Sequence, residues 1–223
     1  MAIALVAHAF TVSATSTNTS IAAPAINATG ATLLVATLAS LNNVAVGVTD
    51  SQGNTWLPLT GQHNGVTYGQ IFYCPNPSVS ASLVITGNFN TIPYAAVSVA
   101  AFSGTDSNSY KAMTGANAAA VGTIQPGSIT PAFNGSLLYV GETSANAGST
   151  LASISTGTIL ANNGGTPGNS VPIADAYYIQ ATAAAINPTL TYTSTAGQAV
   201  ALMACFAPAG SVAPSTGAFF FTA

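Results

Sequence analysis

The feature that most constrains this chain is an internal repeat, in which four strand-like blocks recur in the same order about 105 residues later. The blocks of the first copy begin at Gly30, Gln70, Ser82 and Ala95, and their counterparts begin at Asn134, Asp175, Thr189 and Ala199. Each match is weak alone, but four matches in order indicate a duplication. Two copies are too few for a solenoid. We interpret them as two halves of one β-sandwich, neither of which closes a core alone.

The period-two alternation of apolar residues, bounded by turn signals, predicts an all-β fold with almost no helix. We expect a jelly-roll-like antiparallel β-sandwich built from two pseudo-repeated halves and occupying residues 1–208 as a single domain. The halves are expected at about residues 3–104 and 127–208, joined by a long irregular crossover that ends in a short strand near residues 127–130. Residues 209–223 are expected to form a linker and an apolar C-terminal tail.

Turn residues predict several connections. Asn64-Gly65 is typical of a two-residue type I′ hairpin, here between strands at about residues 56–62 and 66–74. The repeat places Asn163-Gly164 at the corresponding point, inside a longer loop that runs to about Ser170. Asp50 is expected to cap its own turn; a calcium loop is the less favoured alternative, because it needs several oxygen donors and has one carboxylate. Pro24 interrupts a strand and predicts a sheet edge.

Charge is almost absent from the chain. Lys111 is the only cation, and four residues are the only acids: Asp50, Asp106, Glu142 and Asp175. Binding to nucleic acid needs several phosphate-neutralising cations and is excluded, and adhesion to anionic membranes fails for the same reason. A surface made of Ser, Thr, Asn, Gln and Gly has little side-chain entropy to lose on contact, which suits dense packing against copies of the same chain.

Cysteine and histidine give no sign of a metal site or a cofactor. Cys74 and Cys205 stand at non-equivalent points of the repeat, and their apolar neighbours favour buried free thiols over a disulfide. His8 in the first strand is expected to be a satisfied core or interface histidine, and His63 to be exposed beside its turn. No metal-ligand spacing is present, and we expect no bound metal and no cofactor.

The inventory of reactive groups predicts that the protein is not an enzyme. No nucleophile elbow or phosphate loop is present, and the least implausible catalytic arrangement is a glycosidase-like pair of Glu142 and Asp175. Glu142 is informative because the repeat aligns it with Leu38, an apolar position. A carboxylate there either is partly buried, with a raised pKa, or lies on a face that contacts something. If the equivalence with Leu38 holds in space, we predict that the pKa of Glu142 is raised.

Four motifs carry a resemblance to a known class of module. They are Gly30–Val35 (Gly-x-x-Leu-Leu-Val), Val48–Trp56 (Val-Thr-Asp-Ser-x-Gly-Asn-Thr-Trp), Val97–Asp106 (Val-x-Val-Ala-Ala-Phe-Ser-Gly-x-Asp) and Pro131–Gly141 (Pro-x-x-x-Asn-Gly-x-Leu-Leu-Tyr-Val-Gly). The pattern, spanning about residues 30–208, resembles a jelly-roll-like β-sandwich module of tailed-phage structural proteins and bacterial surface proteins. The resemblance implies a sandwich fold and transfers no catalytic residue. The charged surface usual in that family is missing here.

Two functions remain open from the sequence. We expect a structural protein of a multi-copy assembly, most simply a phage capsid decoration or accessory protein located on the virion and assembled in the host cytoplasm. Its partners would be copies of itself and another virion protein. No basic region of the kind found in secretory signals follows Met1, which is consistent with assembly in the host cytoplasm. The assembly contact is expected at Phe219, Phe220 and Phe221. The alternative is a glycan-binding, lectin-like module with a platform of Trp56, Tyr68 and Tyr178.

Overall fold

In the computed structural model, residues 1–13, 19–41, 45–90, 94–145, 148–165 and 171–211 are described, and they form strands, bridges, turns and extended connections without a helix. No helix of the described chain is therefore long and apolar enough to cross a membrane. The strands are β1 (Ala4–Val12), β2 (Ser20–Ala22), β3 (Leu33–Leu41), β4 (Ala45–Asp50), β5 (Leu57–Pro58), β6 (Gln62–Asn64), β7 (Thr67–Pro75), β8 (Ile85–Phe89), β9 (Ala95–Ser103), β10 (Thr105–Ile124), β11 (Ser136–Ser144), β12 (Leu151–Ile154), β13 (Thr158–Asn163), β14 (Ile173–Gln180) and β15 (Leu190–Pro208).

The strands build three antiparallel sheets. Sheet one has the order β1-β9-β3-β7-β5, with β6 also paired to β7. Sheet two has the order β10-β15-β11-β14-β13, with β12 paired to the first part of β15. Sheet three has the order β2-β8-β4. The all-β antiparallel sandwich expected from the sequence is confirmed. The β2 strand, which ends before Pro24, lies at the edge of sheet three.

Side chains alternate across the sheets and fill three main cores. One face of sheet one packs on sheet three around Leu34, Leu38 and Phe89, which we call the first core. One face of sheet two packs under β12 and the early part of β15; this second core contains Leu138 and Tyr192. The other faces of sheets one and two pack on each other in a central core. Each half therefore has a core of its own and shares a third, so the expectation that neither half closes a core alone is wrong.

The same hydrogen-bond register occurs in both halves. In sheet one, Leu34 of β3 lies between Cys74 and Ala101. In sheet two, Leu138 of β11 lies between Tyr178 and Cys205. Residues of β3 and their partners on β7 and β9 therefore have counterparts 104 positions later, on β11, β14 and β15. Leu38 corresponds to Glu142, as the repeat predicted. The second block is shifted by one residue from the sequence match, since Ile71 rather than Gln70 corresponds to Asp175.

The outer strands repeat with a slightly different offset. Gly87 of β8 pairs with Ile21 and Val48, and Leu190 of β15 pairs with Ile124 and Ile154. Leu190 is thus the counterpart of Gly87, not of Leu83 as the sequence match suggested. By the same register Tyr192, which pairs with Leu151, is the counterpart of Phe89, which pairs with Ala45. The sequence alignment was misled because Leu190-Thr191-Tyr192 shares its leucine with Leu83-Val84-Ile85, whereas its structural counterpart is Gly87-Asn88-Phe89.

The two halves meet around a pseudo-twofold axis. β3 lies against β11 at the centre, β9 packs on β14, and β7 packs on β15. β7 corresponds to β14, and β9 corresponds to β15. The contact between β9 and β14 is therefore equivalent to the contact between β15 and β7, with the two halves exchanged. This is the geometry of an isologous dimer interface within a single chain.

The expected irregular crossover is instead the longest strand. β10 occupies Thr105–Ile124 and pairs with β15 along its length, with register shifts after Thr105, Tyr110 and Val121. These irregularities break the in-out alternation, which is why the sequence pattern fades there. The predicted short strand near residues 127–130 is an isolated bridge between Ile129 and Ile186.

The predicted hairpin is present, but its turn lies one residue later. Asn64 pairs with Thr67, so the loop is Gly65-Val66. Gly65 has φ of 63°, and Val66 is not in the positive-φ region, so the turn is not of type I′, which requires positive φ at both central residues. The Asn64 side chain is used elsewhere: its Nδ2 donates to the Ala118 carbonyl of β10 at 2.6 Å.

Candidate functional site

A polar cluster lies between sheets one and two, centred on Asp175 of β14. One Asp175 carboxylate oxygen accepts from the Tyr139 hydroxyl at 2.6 Å, and the other accepts from the Ser98 hydroxyl at 2.8 Å. Tyr139 in turn accepts from Thr37 at 3.2 Å. His8 Nε2 lies 3.0 Å from Ser98 Oγ and 3.5 Å from an Asp175 oxygen. Five strands, from both halves, contribute to this cluster: β1, β3, β9, β11 and β14.

The proton pattern of the cluster argues against nucleophilic catalysis. A serine hydroxyl has one proton, and Ser98 gives it to Asp175, so His8 Nε2 must be the donor to Ser98 Oγ. A histidine that acted as general base would instead have to accept the hydroxyl proton of the serine. Ser98 is also fully buried, so its hydroxyl has no route to a substrate. Ser98, His8 and Asp175 are the residue types of a hydrolase triad, but here their hydrogen bonds connect the two sheets in the interior of the protein.

The close packing of the cluster depends on a glycine. A Cβ at Gly141 would lie 2.6 Å from Thr37 Oγ1, so only glycine lets β3 and β11 approach this closely. Burial, followed by the neighbouring Asp175 charge, raises the pKa of Tyr139 well above its usual range. Tyr139 therefore stays a neutral donor to the carboxylate at every physiological pH.

Glu142 lies in the second core and is 3% exposed. Its Oε1 accepts from the Tyr192 hydroxyl at 2.8 Å. Burial raises the pKa of Glu142 to about 8, against a smaller lowering by the Tyr192 hydrogen bond. The prediction of a raised pKa, drawn from the alignment with Leu38, is confirmed.

The two carboxylates proposed as a glycosidase-like pair do not share a site. Glu142 is opposite Ala174, whereas Asp175 is opposite Gly141, so their side chains point to opposite faces of sheet two. Glu142 faces the second core, and Asp175 faces sheet one. Since the sheet separates them, they cannot act together on one glycosidic bond.

The aromatic residues proposed as a glycan platform lie in two different cores. Tyr68 is 7% exposed in the first core, and its hydroxyl donates to Gln70 at 2.6 Å. Trp56 is half-buried against the same core, and its Nε1 donates to Asp50 at 2.7 Å. Tyr178 packs on the second core. The structure does not bring these three rings onto one surface.

Asp50 caps its own turn as expected. One oxygen accepts from the backbone N–H groups of Gln52 and Asn54, and the other accepts from the Asn54 amide and the Trp56 indole. All four donors come from the same loop, so the hydrogen bonds of this carboxylate stabilise that loop. Within the described residues, no three His, Cys, Asp or Glu side chains cluster as metal ligands would.

Cys74 and Cys205 are buried free thiols, as the sequence predicted. Cys74 belongs to the first core and Cys205 to the second. Burial raises the pKa of each thiol to about 11. Neither is a nucleophile at neutral pH, because the reactive form is the thiolate.

An open cleft of about 530 Å³ lies on the outer edge of sheet two. It lies on both sides of the register shift after Val121 of β10, and its lining is free of charged and aromatic side chains: Ala116, Asn117, Ala118, Thr123, Ile124, Gln125 and Thr189. Sequence reasoning missed this cleft because it treated residues 103–131 as a connection. The expected assembly contact at Phe219, Phe220 and Phe221 lies outside the described residues.

Comparisons with protein-family models, with curated proteins and with solved structures give no match to this chain. The resemblance to phage and surface-protein modules therefore stays a hypothesis carried by the sequence motifs alone.

Proposed function

We propose that this protein is a non-enzymatic structural component of a multi-copy assembly, most specifically a capsid decoration or accessory protein of a tailed-phage virion. The observation that carries the proposal is the edge strand β10. It is 20 residues long, and its only charged residues, Asp106 and Lys111, lie near its start. From Ala112 to Ile124 no charge protects this edge.

An edge strand without charged residues is a usual starting point for association between sheets, and on the described part of β10 only contacts with β6 and the register shifts interrupt the edge. Natural monomers block their edge strands with Lys, Pro, strong bulges or covering elements, because bare backbone groups recruit another strand. A stretch of 13 uncharged edge residues is a liability in a monomer and an asset in an assembly protein. The near absence of charge elsewhere also avoids repulsion between many identical copies.

The internal acids support a structural role. Asp175 interacts with three neighbouring side chains between the sheets, and Glu142 accepts a hydrogen bond from Tyr192. Asp50 holds its own loop. Three of the four acids thus serve the fold, and the remaining acid, Asp106, caps Asn108 on the surface. This distribution favours a building block over a catalyst.

Mass photometry and light scattering of the full chain over a range of concentrations test the proposal. We expect discrete oligomers, and quantitative mass spectrometry of the particles to which the chain belongs should find many copies of it per particle. A chain that stays monomeric at high concentration contradicts the proposal. If such a monomer also binds a defined oligosaccharide on a glycan array, the lectin-like alternative replaces it.

A further inference from the structure

We infer that the second core contains a binding site for one water molecule, which bridges the Glu142 carboxyl group and the Ser144 hydroxyl. The inference goes beyond the proposed function and does not depend on it. It is carried by three observations on the described residues: a buried hydroxyl without a partner, the spacing of the two polar groups along β11, and the small side chains that flank Glu142.

Ser144 is a buried polar side chain that lacks a hydrogen bond. It lies at the end of β11 and is fully buried, and its Oγ has no hydrogen-bond partner in the described part of the chain. An unpaired buried hydroxyl destabilises the folded state, and ordered water commonly pairs with such groups. Ser144 therefore needs a partner other than the side chains and backbone around it.

Glu142 lies on the same face of β11 as Ser144. Residues two apart in a strand point the same way, so both side chains face the second core. Their Cα atoms are about 7 Å apart at the usual rise of a strand. One bridging water joins two oxygens that are about 5–6 Å apart. Since Ser144 Oγ makes no direct bond to Glu142, a single water is the bridge that fits this spacing.

The carboxyl group of Glu142 can both donate to a water and accept from it. Its Oε1 accepts from Tyr192 at 2.8 Å. Burial raises the pKa of Glu142 to about 8, so at neutral pH most of the acid carries a proton and has one O–H to donate. The water accepts from that O–H and donates to Ser144 Oγ. When the acid ionises, the same water turns and donates to the carboxylate.

Comparison of the two halves shows room for the water. Glu142 is flanked by Ala174 on β14 and by Ala201 on β15. The equivalent positions beside Leu38 are occupied by a glutamine and a valine, so a smaller side chain stands on each neighbouring strand of the second half. A buried water needs space for its own sphere and about two to four polar partners. The two alanines leave the space, and the acid and the serine are the partners.

A high-resolution crystal structure of the full chain tests this inference. We expect density for one water within about 2.5–3.0 Å of both a Glu142 carboxyl oxygen and Ser144 Oγ. No water is expected between Leu38 and Ser40, because a leucine side chain forms no hydrogen bond. A direct hydrogen bond between Glu142 and Ser144, or the absence of density between them, overturns the inference.

Oxygen-17 magnetic relaxation dispersion of water, which counts long-lived internal waters, tests it in solution. Ala201→Val restores the residue type of the first half and fills the space beside Glu142, so we expect the loss of one long-lived water per chain. Ala119→Val adds the same atoms at an exposed position of β10 and is the matched control, which should keep the wild-type count. An equal count in Ala201→Val and wild type overturns the inference.

Circular dichroism establishes that each variant is folded. If Ala201→Val is not, the double variant Glu142→Leu with Tyr192→Phe takes its place. It installs the pair of residues found in the first core and removes the acid that holds the water, so the same loss of one water is expected. A double variant that keeps the wild-type count overturns the inference. Association of the chain is measured separately, so the proposed function stands or fails independently of these results.

Discussion

The two halves of this molecule have the same strands in the same register, but one is apolar where the other is polar. Leu38 and Phe89 occupy the first core, and their counterparts in the second core are Glu142 and Tyr192. A leucine and a phenylalanine have thus been exchanged for a hydrogen-bonded carboxylic acid and phenol at equivalent positions.

The same contrast occurs on the two sides of the pseudo-twofold axis. On one side Ile71 and Leu202 pack in the central core. On the other side their counterparts, Asp175 and Ser98, share a 2.8 Å hydrogen bond. The duplicated backbone therefore accepts either solution, provided that every buried polar atom finds a partner. In the second half, the buried Glu142 also makes the free energy of unfolding depend on pH.

The largest effect is expected from placing the acid in the wrong half. Leu38→Glu reproduces Glu142 opposite Phe89, which has no hydroxyl to donate. We expect a loss of about 3–5 kcal/mol in the free energy of unfolding at pH 9, because the buried charge is unpaired. Adding Phe89→Tyr should restore part of that loss. Urea unfolding at pH 9 measures both, and equal stability of the single and double variants would show that the halves are not equivalent in energy.

The next effect is the pH dependence of the wild-type protein. The pKa of Glu142 is raised from 4.5 to about 8 in the folded state, so folding holds this proton more tightly than unfolding does. Its contribution is fully present below pH 4.5 and is lost as the pH rises through about 8. We expect a decline of up to about 4–5 kcal/mol between pH 5 and pH 9 from this group.

Glu142→Gln checks that assignment. The amide keeps the size of the side chain and removes its titration, so the slope of stability against pH over that range should flatten. Tyr192→Phe removes the hydrogen bond that lowers the pKa of Glu142, so the pKa should rise further and the decline in stability should move to higher pH. A Glu142→Gln profile that is as steep as wild type would assign the slope to another group.

A smaller effect is expected at the polar side of the axis. Ser98→Ala removes one donor to Asp175 and leaves the carboxylate with a vacant oxygen in the central interface. We expect a loss of about 1–3 kcal/mol in the free energy of unfolding. Ser107→Ala, at an exposed position of β10, is the control and should remain within about 0.5 kcal/mol of wild type. Chemical denaturation of the three proteins side by side decides whether the cluster stabilises the contact between halves.

The smallest difference is expected between the two thiols, which report on each half separately. Cys74 and Cys205 are both buried, and burial raises the pKa of each to about 11. We expect both to resist alkylation at pH 8 with rates within about threefold of each other, because each needs its own core to open. In Leu38→Glu, Cys74 should become the more reactive of the two. Peptide mass spectrometry after timed labelling gives both rates, and equal acceleration would mean that the halves open together.

Much of the site followed from the repeat. The alignment of Glu142 with Leu38 was enough to predict a buried acid with a raised pKa, since an apolar position in one half implies burial in the other. The free thiols followed from their apolar neighbours. The aromatic platform of Trp56, Tyr68 and Tyr178 could not be assessed, because alternation places a side chain on a face without saying which face is covered.

What the sequence by itself determined is the class of fold, the duplication, the loop held by Asp50 and the burial of Glu142, since each depends on local pattern or on comparison of one half with the other. Only the tertiary structure decided that β10 is a strand, because its register shifts hide the alternation and its partner, β15, is about 80 residues away in the chain. Only the tertiary structure brought His8, Ser98 and Asp175 together, and separated Asp175 from Glu142. Which residues face each other across two sheets depends on how the sheets stack, and no local pattern in the sequence encodes that.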